Sequence, residues 1–250
     1  VVLTRLAVTY EILPLEEIKQ VVRRAHERGA PVYVDDAGGA RVGPALFDQP
    51  KTLQLGVDVA ATGLDKYGTA GPRLGVMAGE KDLVARIRAR GYEMGLEARP
   101  LFYPAAYRSL AGSTPERVRE LAATTRKVTA AVRAVVGKRL HETPVISELL
   151  ADDILQIAME RAGVEKPPIV PYEAATALAM LLLRDHGVIT VQFVGMPPGT
   201  SAVMFKFINP QELDRFGGAD AYARAIDESL TKLAALLRDP ERFRALILGE

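Results

Sequence analysis

Two short apolar runs, each handing over directly to a charged, glycine-rich turn, constrain this chain more than any other feature. Pro31-Val-Tyr-Val34 runs into Asp35-Asp36-Ala37-Gly38-Gly39, and Val57-Asp-Val-Ala-Ala61 leads to Gly63-Leu64-Asp65-Lys66. Apolar runs this short, bounded by turn formers, read as buried strands. Val1 to Tyr10 reads as a further buried strand. Pro14 opens a helix that Gly29 closes, with Leu15, Ile18, Val22 and Ala25 on one face. Leu74 to Ala78 is another short strand, and Glu80 to Arg90 a helix. Strand, helix, strand, strand with short connections predicts an α/β domain with a largely parallel sheet. In such sheets ligands sit beyond the carboxyl ends of the strands. Asp35 and Lys66, 31 residues apart, both fall on that edge.

The character changes after about residue 111. Thr114-Pro115-Glu116 opens a long amphipathic helix to about Arg139, with Val118, Leu121, Val128 and Val132 among its apolar positions. Ser147 to Ala162 fits either a short helix or an edge strand. Pro167-Pro168 is a break, and Glu173 to His186 a helix closed by Gly187. Val188 to Val194 and Ala202 to Ile208 read as strands around a Met196-Pro197-Pro198-Gly199 turn. Helices near 219–237 and 240–248 finish the chain. The expected organisation is residues 1–112 as part of a large α/β domain and 113–250 as a connecting helix with a small α+β domain.

Composition excludes several classes. The chain has 250 residues, 48% of them apolar and 25% charged, which permits a sizeable core and rules out wholesale disorder. Its net charge of +1 leaves no broad footprint for nucleic acid or an anionic membrane. Without cysteine it has no disulfide, no Cys-ligated metal and no thiol nucleophile. No apolar stretch approaches the roughly 18 residues that span a bilayer, and Val1-Val2-Leu3-Thr4-Arg5 does not read as a signal peptide. A cytoplasmic protein is expected. One asparagine, no cysteine and many arginines match a thermophile's composition, as coding bias also would.

The pair Asp35 and Lys66 carries the chemistry. A pyridoxal phosphate (PLP) enzyme needs a lysine amine for the cofactor aldehyde and a carboxylate that keeps the pyridine nitrogen protonated. By spacing alone the pair is unspecific: a lone loop lysine is usually a solvated charge, and Asp-Asp-Ala-Gly-Gly is an ordinary turn. The three histidines have no metal-ligand spacing and form no Ser–His–Asp arrangement, so no metal site is expected. His26 and His186 fit helix C-termini. No GxGxxG or P-loop occurs.

Val34-Asp35-Asp36-Ala37 resembles the V-D-x-A cofactor segment of fold-type I PLP enzymes, and Thr62-Gly63-Leu64-Asp65-Lys66 their Schiff-base lysine segment. More specifically, Asp35-Asp36-Ala37-Gly38-Gly39-Ala40-Arg41 resembles the archaeal selenocysteine synthase-like (SelA-like) family. So do Phe47-Asp48-Gln49-Pro50-Lys51, Asp65-Lys66 with Gly71-Pro72-Arg73, Gly95-Leu96-Glu97-Ala98, and Gly187-Val188-Ile189-Thr190 with Gly195-Met196-Pro197. The resemblance implies a fold-type I protein that binds PLP. Lys66 would form the Schiff base, Asp35 would pair with the ring nitrogen, and Ala37 would lie against the ring. Gly68-Thr69-Ala70-Gly71-Pro72 would approach the cofactor phosphate of a neighbouring subunit, with Thr69 and Gly71 in contact. It further implies a homodimer or higher homo-oligomer and a small amino substrate, with elimination or replacement at Cβ. The tRNA substrate of the synthase is not carried over, because the charge does not support it.

Two features depart from the family. Its chains extend upstream of Val1, where the phosphate-binding helix N-terminus and the ring-stacking group normally lie, so a fragment or a site completed by another polypeptide is expected. Met204 stands where many fold-type I enzymes place an arginine that holds a substrate carboxylate. Arg41, Arg73 and Arg99 are the candidates for a substrate anion, with Arg108 nearby; each has the competing reading of a surface or ion-paired arginine. The alternatives are a PLP-dependent lyase acting on an amino-sugar acid or small amine, and a non-catalytic fold-type I subunit.

Overall fold

The computed structural model describes residues 1–193 and 201–249. The chain divides into two compact units, Val1–Glu120 and Leu121–Glu250.

The first unit is built on a four-stranded sheet: β1 (Val2–Thr4), β2 (Tyr33–Asp35), β3 (Val59–Gly63) and β4 (Gly75–Gly79), in that order. β1, β2 and β3 are parallel, with Thr4 beside Asp35 and Asp35 beside Ala61. β4 runs antiparallel to β3, with Gly63 opposite Gly75. The helix α1 (Leu15–His26) carries Glu16 and Glu17 in its first turn and Arg23, Arg24 and His26 in its last, the arrangement the helix dipole favours. Its Ile18, Val22 and Ala25 pack on Val32, Val34, Leu55 and Val57. Each fully buried aliphatic side chain there contributes about 1.5–3 kcal/mol. α2 (Gly39–Leu46) follows β2, and α3 (Lys81–Glu93) follows β4. The Glu80 carboxylate caps α3 by accepting the amides of Asp82 (3.0 Å) and Leu83 (2.7 Å). α4 (Tyr103–Ala111) precedes α5 (Pro115–Val136), which crosses the boundary between the units.

One expectation needs correction here, and three stretches gain an assignment. The stretch Val1–Tyr10 is not one buried strand. Only Val2–Thr4 pair with β2, Leu6 makes a single antiparallel bridge to Ile12, Val2 is exposed, and the deep positions are Arg5, Leu6 and Tyr10. The strand stops because Arg5 turns inward as a buried cation, and Tyr10 takes a left-handed backbone (φ 61°). The turn after Asp35 becomes helix at Gly39 and holds Pro44 within it. Tyr103–Ala111, for which the sequence carries no assignment, is helical. Both edges of the ambiguity at 147–162 are realised: the segment is a strand and then a helix.

The second unit has an antiparallel sheet of β5 (Leu140–Glu142), β6 (Ile146–Leu150), β8 (Ala202–Lys206) and β7 (Val191–Phe193), in that spatial order. The helices are α6 (Ala151–Ala162), α7 (Pro171–His186), α8 (Pro210–Phe216), α9 (Gly218–Leu236) and α10 (Pro240–Leu248). Leu149, Val203 and Phe205 on one sheet face bury against Leu178, Leu182, Ile226 and Leu230 from α7 and α9. The apolar period changes from two to 3.6 at Ala151, where Asp152 and Asp153 start α6. The Met196–Gly199 turn, the Gly195-Met196-Pro197 segment and Val194 lie outside the described residues. Among the described residues no helix is long and apolar enough to cross a membrane.

Candidate functional site

Asp35 is the last residue of β2, and Lys66 lies three residues beyond β3. The two strands are parallel neighbours, so the chain leaves both at the same edge of the sheet. Side chains alternate along β2 and its continuation. Val34 and Asp36 are buried, whereas Asp35 is exposed. The Asp35 Oδ1 accepts only a long bond, from the Ala37 amide at 3.3 Å, which folds the turn locally.

The Lys66 turn is tied at both ends. The Thr69 hydroxyl accepts the Lys66 amide (3.1 Å) and donates to the Lys66 carbonyl (2.5 Å). The Ser109 hydroxyl accepts the Ala70 amide and donates to the Leu64 carbonyl, each at 3.2 Å. The Gly71 amide also reaches the Leu64 carbonyl, at 2.7 Å. Tyr67 is left-handed (φ 54°), a strained choice for an aromatic residue immediately after Lys66. The Lys66 side chain folds back over β3, its Cε 3.2 Å from where a Cβ on Gly63 would stand. The two turns also touch: a Cβ on Gly38 would lie 2.9 Å from the Tyr67 ring and 2.7 Å from Leu6. Glycine is required there for close approach rather than for a special φ.

Beneath these turns lies a buried ionic network. Arg5 donates from Nε to Gln49 (2.9 Å), from Nη2 to the Pro50 carbonyl (2.8 Å) and from Nη1 to Thr52 (3.3 Å). Its Nη1 is 3.5 Å from Asp36, and the Thr52 hydroxyl donates to the same carboxylate. Burial pushes the Asp36 carboxyl upward, against the pull of the Thr52 bond and the Arg5 charge. Burial likewise lowers Arg5, opposed by Asp36. Arg41, on α2, is 9% exposed; it donates to the Thr62 hydroxyl (3.1 Å) and the Gly63 carbonyl (2.5 Å). A cavity of about 570 Å³ opens on this side of the sheet, lined by Asp36, Arg41, Thr52, Thr62 and Val118, and not by Asp35 or Lys66.

The other candidates are spread out. Arg73 has a side chain 95% exposed and stands 3.8 Å from Asp65. Arg99 and Arg108 are exposed. Met204 is buried on β8 in the second unit, opposite Glu148, whose carboxyl is pushed up by burial and drawn down by His141. His26 pairs with Asp58 and His141 with Asp153, each at 2.9 Å, and His186 stands 3.8 Å from Glu228, so each histidine has a carboxylate neighbour. Sequence reasoning missed Arg5, Thr52 and Tyr67. Arg5 left one signal, a charge set inside an otherwise apolar opening run; nothing local marked Thr52.

The class follows from this architecture. Solved structures of similar fold include a transaminase with PLP bound (17% identical, TM-score 0.58, 95% of this chain and 53% of that one). Alanine–glyoxylate aminotransferase from Nostoc sp. is similar at 15% identity and TM-score 0.57, over 92% of this chain and 61% of that one. CalE6, a methionine gamma lyase from Micromonospora echinospora, is similar at 20% and 0.54, over 91% and 61%. The fold is that of the fold-type I PLP-dependent enzymes.

In sequence the chain is similar to the UPF0425 pyridoxal phosphate-dependent protein of Methanothermobacter thermautotrophicus. The two are 32% identical over 252 residues, covering 100% of this chain and 63% of that protein. It is similar also to the protein of the same description from Methanosphaera stadtmanae, 30% identical over 206 residues, covering 82% and 52%. The chain thus spans between half and two-thirds of the length of these curated relatives. No family model matches it.

Proposed function

We propose that this chain carries the lysine-bearing part of a PLP-dependent enzyme of the SelA-like family, acting in the cytoplasm on a small amino substrate. The observation that carries the reading is the pairing of parallel strands that delivers Asp35 and Lys66 to one sheet edge, with the Lys66 side chain turned back over Gly63. The residues fit the cofactor. Asp35 is an exposed carboxylate with one long local bond, Ala37 is small, and the space over Gly63 is free of a Cβ. The relatives named as pyridoxal phosphate-dependent proteins support it.

Bound PLP supplies an aldehyde that condenses with amines and a ring that takes up electrons from the adjacent carbon. Asp35 would hold the ring nitrogen and keep its proton, and Ala37 would leave room for the ring face. The Lys66 Nζ would anchor the cofactor and then move the proton at the substrate Cα. Thr69 shapes the Lys66 turn, and with Gly71 it would face the cofactor phosphate of a second copy. Arg73 and Arg99, both exposed, would meet anionic groups of the substrate. Elimination or replacement at Cβ is the chemistry this reading assigns. A homodimer would cover some of the large apolar side chains exposed between Tyr92 and Tyr103, among them Met94, Leu96, Leu101 and Phe102.

A second reading is a PLP-dependent lyase on an amino-sugar acid or small amine. By the family resemblance, Met204 in place of an arginine puts in doubt a free α-amino acid held by a guanidinium fork, and so leaves this reading open. The test uses the intact natural polypeptide that carries this sequence. Absorbance with added PLP is recorded before and after borohydride, for the wild type and Lys66→Ala. A yellow band that borohydride fixes onto Lys66, absent from the variant, is expected. No band in the wild type overturns the reading and leaves a non-catalytic subunit.

A further inference from the structure

Arg41 stands between the two turns of the site, and its bonds run to the wrong place for a substrate ligand. Its guanidinium is buried on α2, the helix that grows out of the Asp35–Gly39 turn. One nitrogen donates to the Thr62 hydroxyl and the other to the Gly63 carbonyl, so both bonds fall on the last two residues of β3. The Thr62 hydroxyl in turn points at the Ala37 carbonyl, at 3.4 Å. The path therefore runs from the residue two beyond Asp35, through Thr62 and Arg41, to the residue three before Lys66. Burial lowers the Arg41 guanidinium, while Asp36, Asp65 and the Tyr67 phenol favour its charge. A planar fork meets two fixed acceptors at once; an ammonium has no such geometry.

We infer that Arg41 is a positioning residue, which locks the end of β3 against the turn after Asp35 and so sets where Lys66 stands relative to that carboxylate. This rests on the PLP reading for its consequence in chemistry, but not for the tie itself. A misplacement of about 1 Å between reacting groups is enough to cost about a hundredfold in rate. Arg41 needs no contact with substrate to control the reaction.

The test compares the wild type with Arg41→Lys, Arg41→Met and Thr62→Val in the intact natural polypeptide. The first readout is amide hydrogen exchange without cofactor. Arg41→Met is expected to speed exchange in residues 64–70 by about tenfold or more, while α1 stays unchanged. The second is the rate at which borohydride fixes PLP to Lys66, followed against pH. Arg41→Met should slow fixation by about tenfold and move its pH midpoint, with Arg41→Lys between. Thr62→Val keeps the shape of the side chain, removes the hydroxyl, and should move both readouts in the same direction. It carries the test where Arg41→Met loses the fold. Wild-type exchange at 64–70 and an unmoved pH profile in Arg41→Met and Thr62→Val would overturn the inference. A wild type that exchanges slowly at 64–70 yet takes no PLP at Lys66 overturns the cofactor reading instead, so the two failures are distinct.

Discussion

The Arg5 guanidinium stands 3.5 Å from the Asp36 carboxylate, and both side chains are 1% exposed. The pair joins the end of β1 to the turn that carries Asp35. A buried pair of this kind adds little net stability by itself, but breaking it leaves a charge without compensation. The site thus rests on a floor in which removing one partner is costly.

Replacing Arg5 by Met is expected to cost about 3–5 kcal/mol, because Asp36 stays buried without its cation. The double variant Arg5→Met/Asp36→Leu should cost less than the single one. Urea denaturation of the four corners of this cycle measures the coupling. A loss under about 1 kcal/mol for Arg5→Met would contradict the network.

Asp35→Asn should leave the fold intact and weaken PLP binding. A hydrogen bond to a charged group contributes about 1.5–3 kcal/mol, which is roughly ten- to a hundredfold in Kd. Fixation onto Lys66 by borohydride should persist, since the amine is untouched. An absorbance titration with PLP decides it. Unchanged affinity would remove Asp35 from the site.

Stability should depend on pH in opposite senses at two carboxylates. The Val32 amide at 2.6 Å, helped by His26, holds Asp58 below its ordinary value of 3.8. The folded state then binds fewer protons than the unfolded state, so this contribution is present above 3.8 and lost as pH falls through the lower folded value. Asp36 is raised, so its contribution is greatest below 3.8 and lost as pH rises through the raised folded value. Urea midpoints from about pH 2 to pH 7 test both. Asp58→Asn should flatten the acid side, and Asp36→Asn the upper limb.

Gly38→Ala is expected to destabilise the protein by about 1–3 kcal/mol, since the new methyl meets Leu6 and the Tyr67 ring. Gly91→Ala, where nothing lies within 4 Å of the new Cβ, should instead stabilise α3 by about 0.5–1 kcal/mol. Thermal unfolding of the two variants side by side makes the comparison. Equal effects would show that the two turns do not press together at Gly38.

Much of the fold was legible where local signals were strong. α1, α5, α7 and α9 fall within a few residues of where caps, Pro and Gly and the 3.6-residue period put them. Val118, Leu121, Val128 and Val132 are buried as their spacing requires. Legibility failed at Val1–Tyr10, because a strand's length is set by its neighbour, and β2 offers partners only to Val2–Thr4. It failed at Ser147–Ala162 because two periods share one apolar run. It failed at Tyr103–Ala111, where few residues are buried and apolar spacing has little to report.

The sequence by itself determined which groups are available: a carboxylate at the end of one apolar run, an amine just past another, and glycines beside both. It also determined the strongly signalled helices α1, α5, α7 and α9, because caps and periodicity act over a few neighbouring residues. Only the tertiary structure sent Asp35, which the resemblance singled out, to the open edge and Asp36 into the Arg5 network. It also decided that Arg41 ties β3 to the Asp35 turn rather than facing solvent as Arg73 does. The physical reason is that a buried charge must find its hydrogen bonds wherever the packed chain supplies them. For Arg5 those partners lie 44 to 47 residues away in sequence, and for Arg41 they lie 21 and 22 away. No local pattern records such distances; the register of neighbouring strands creates them.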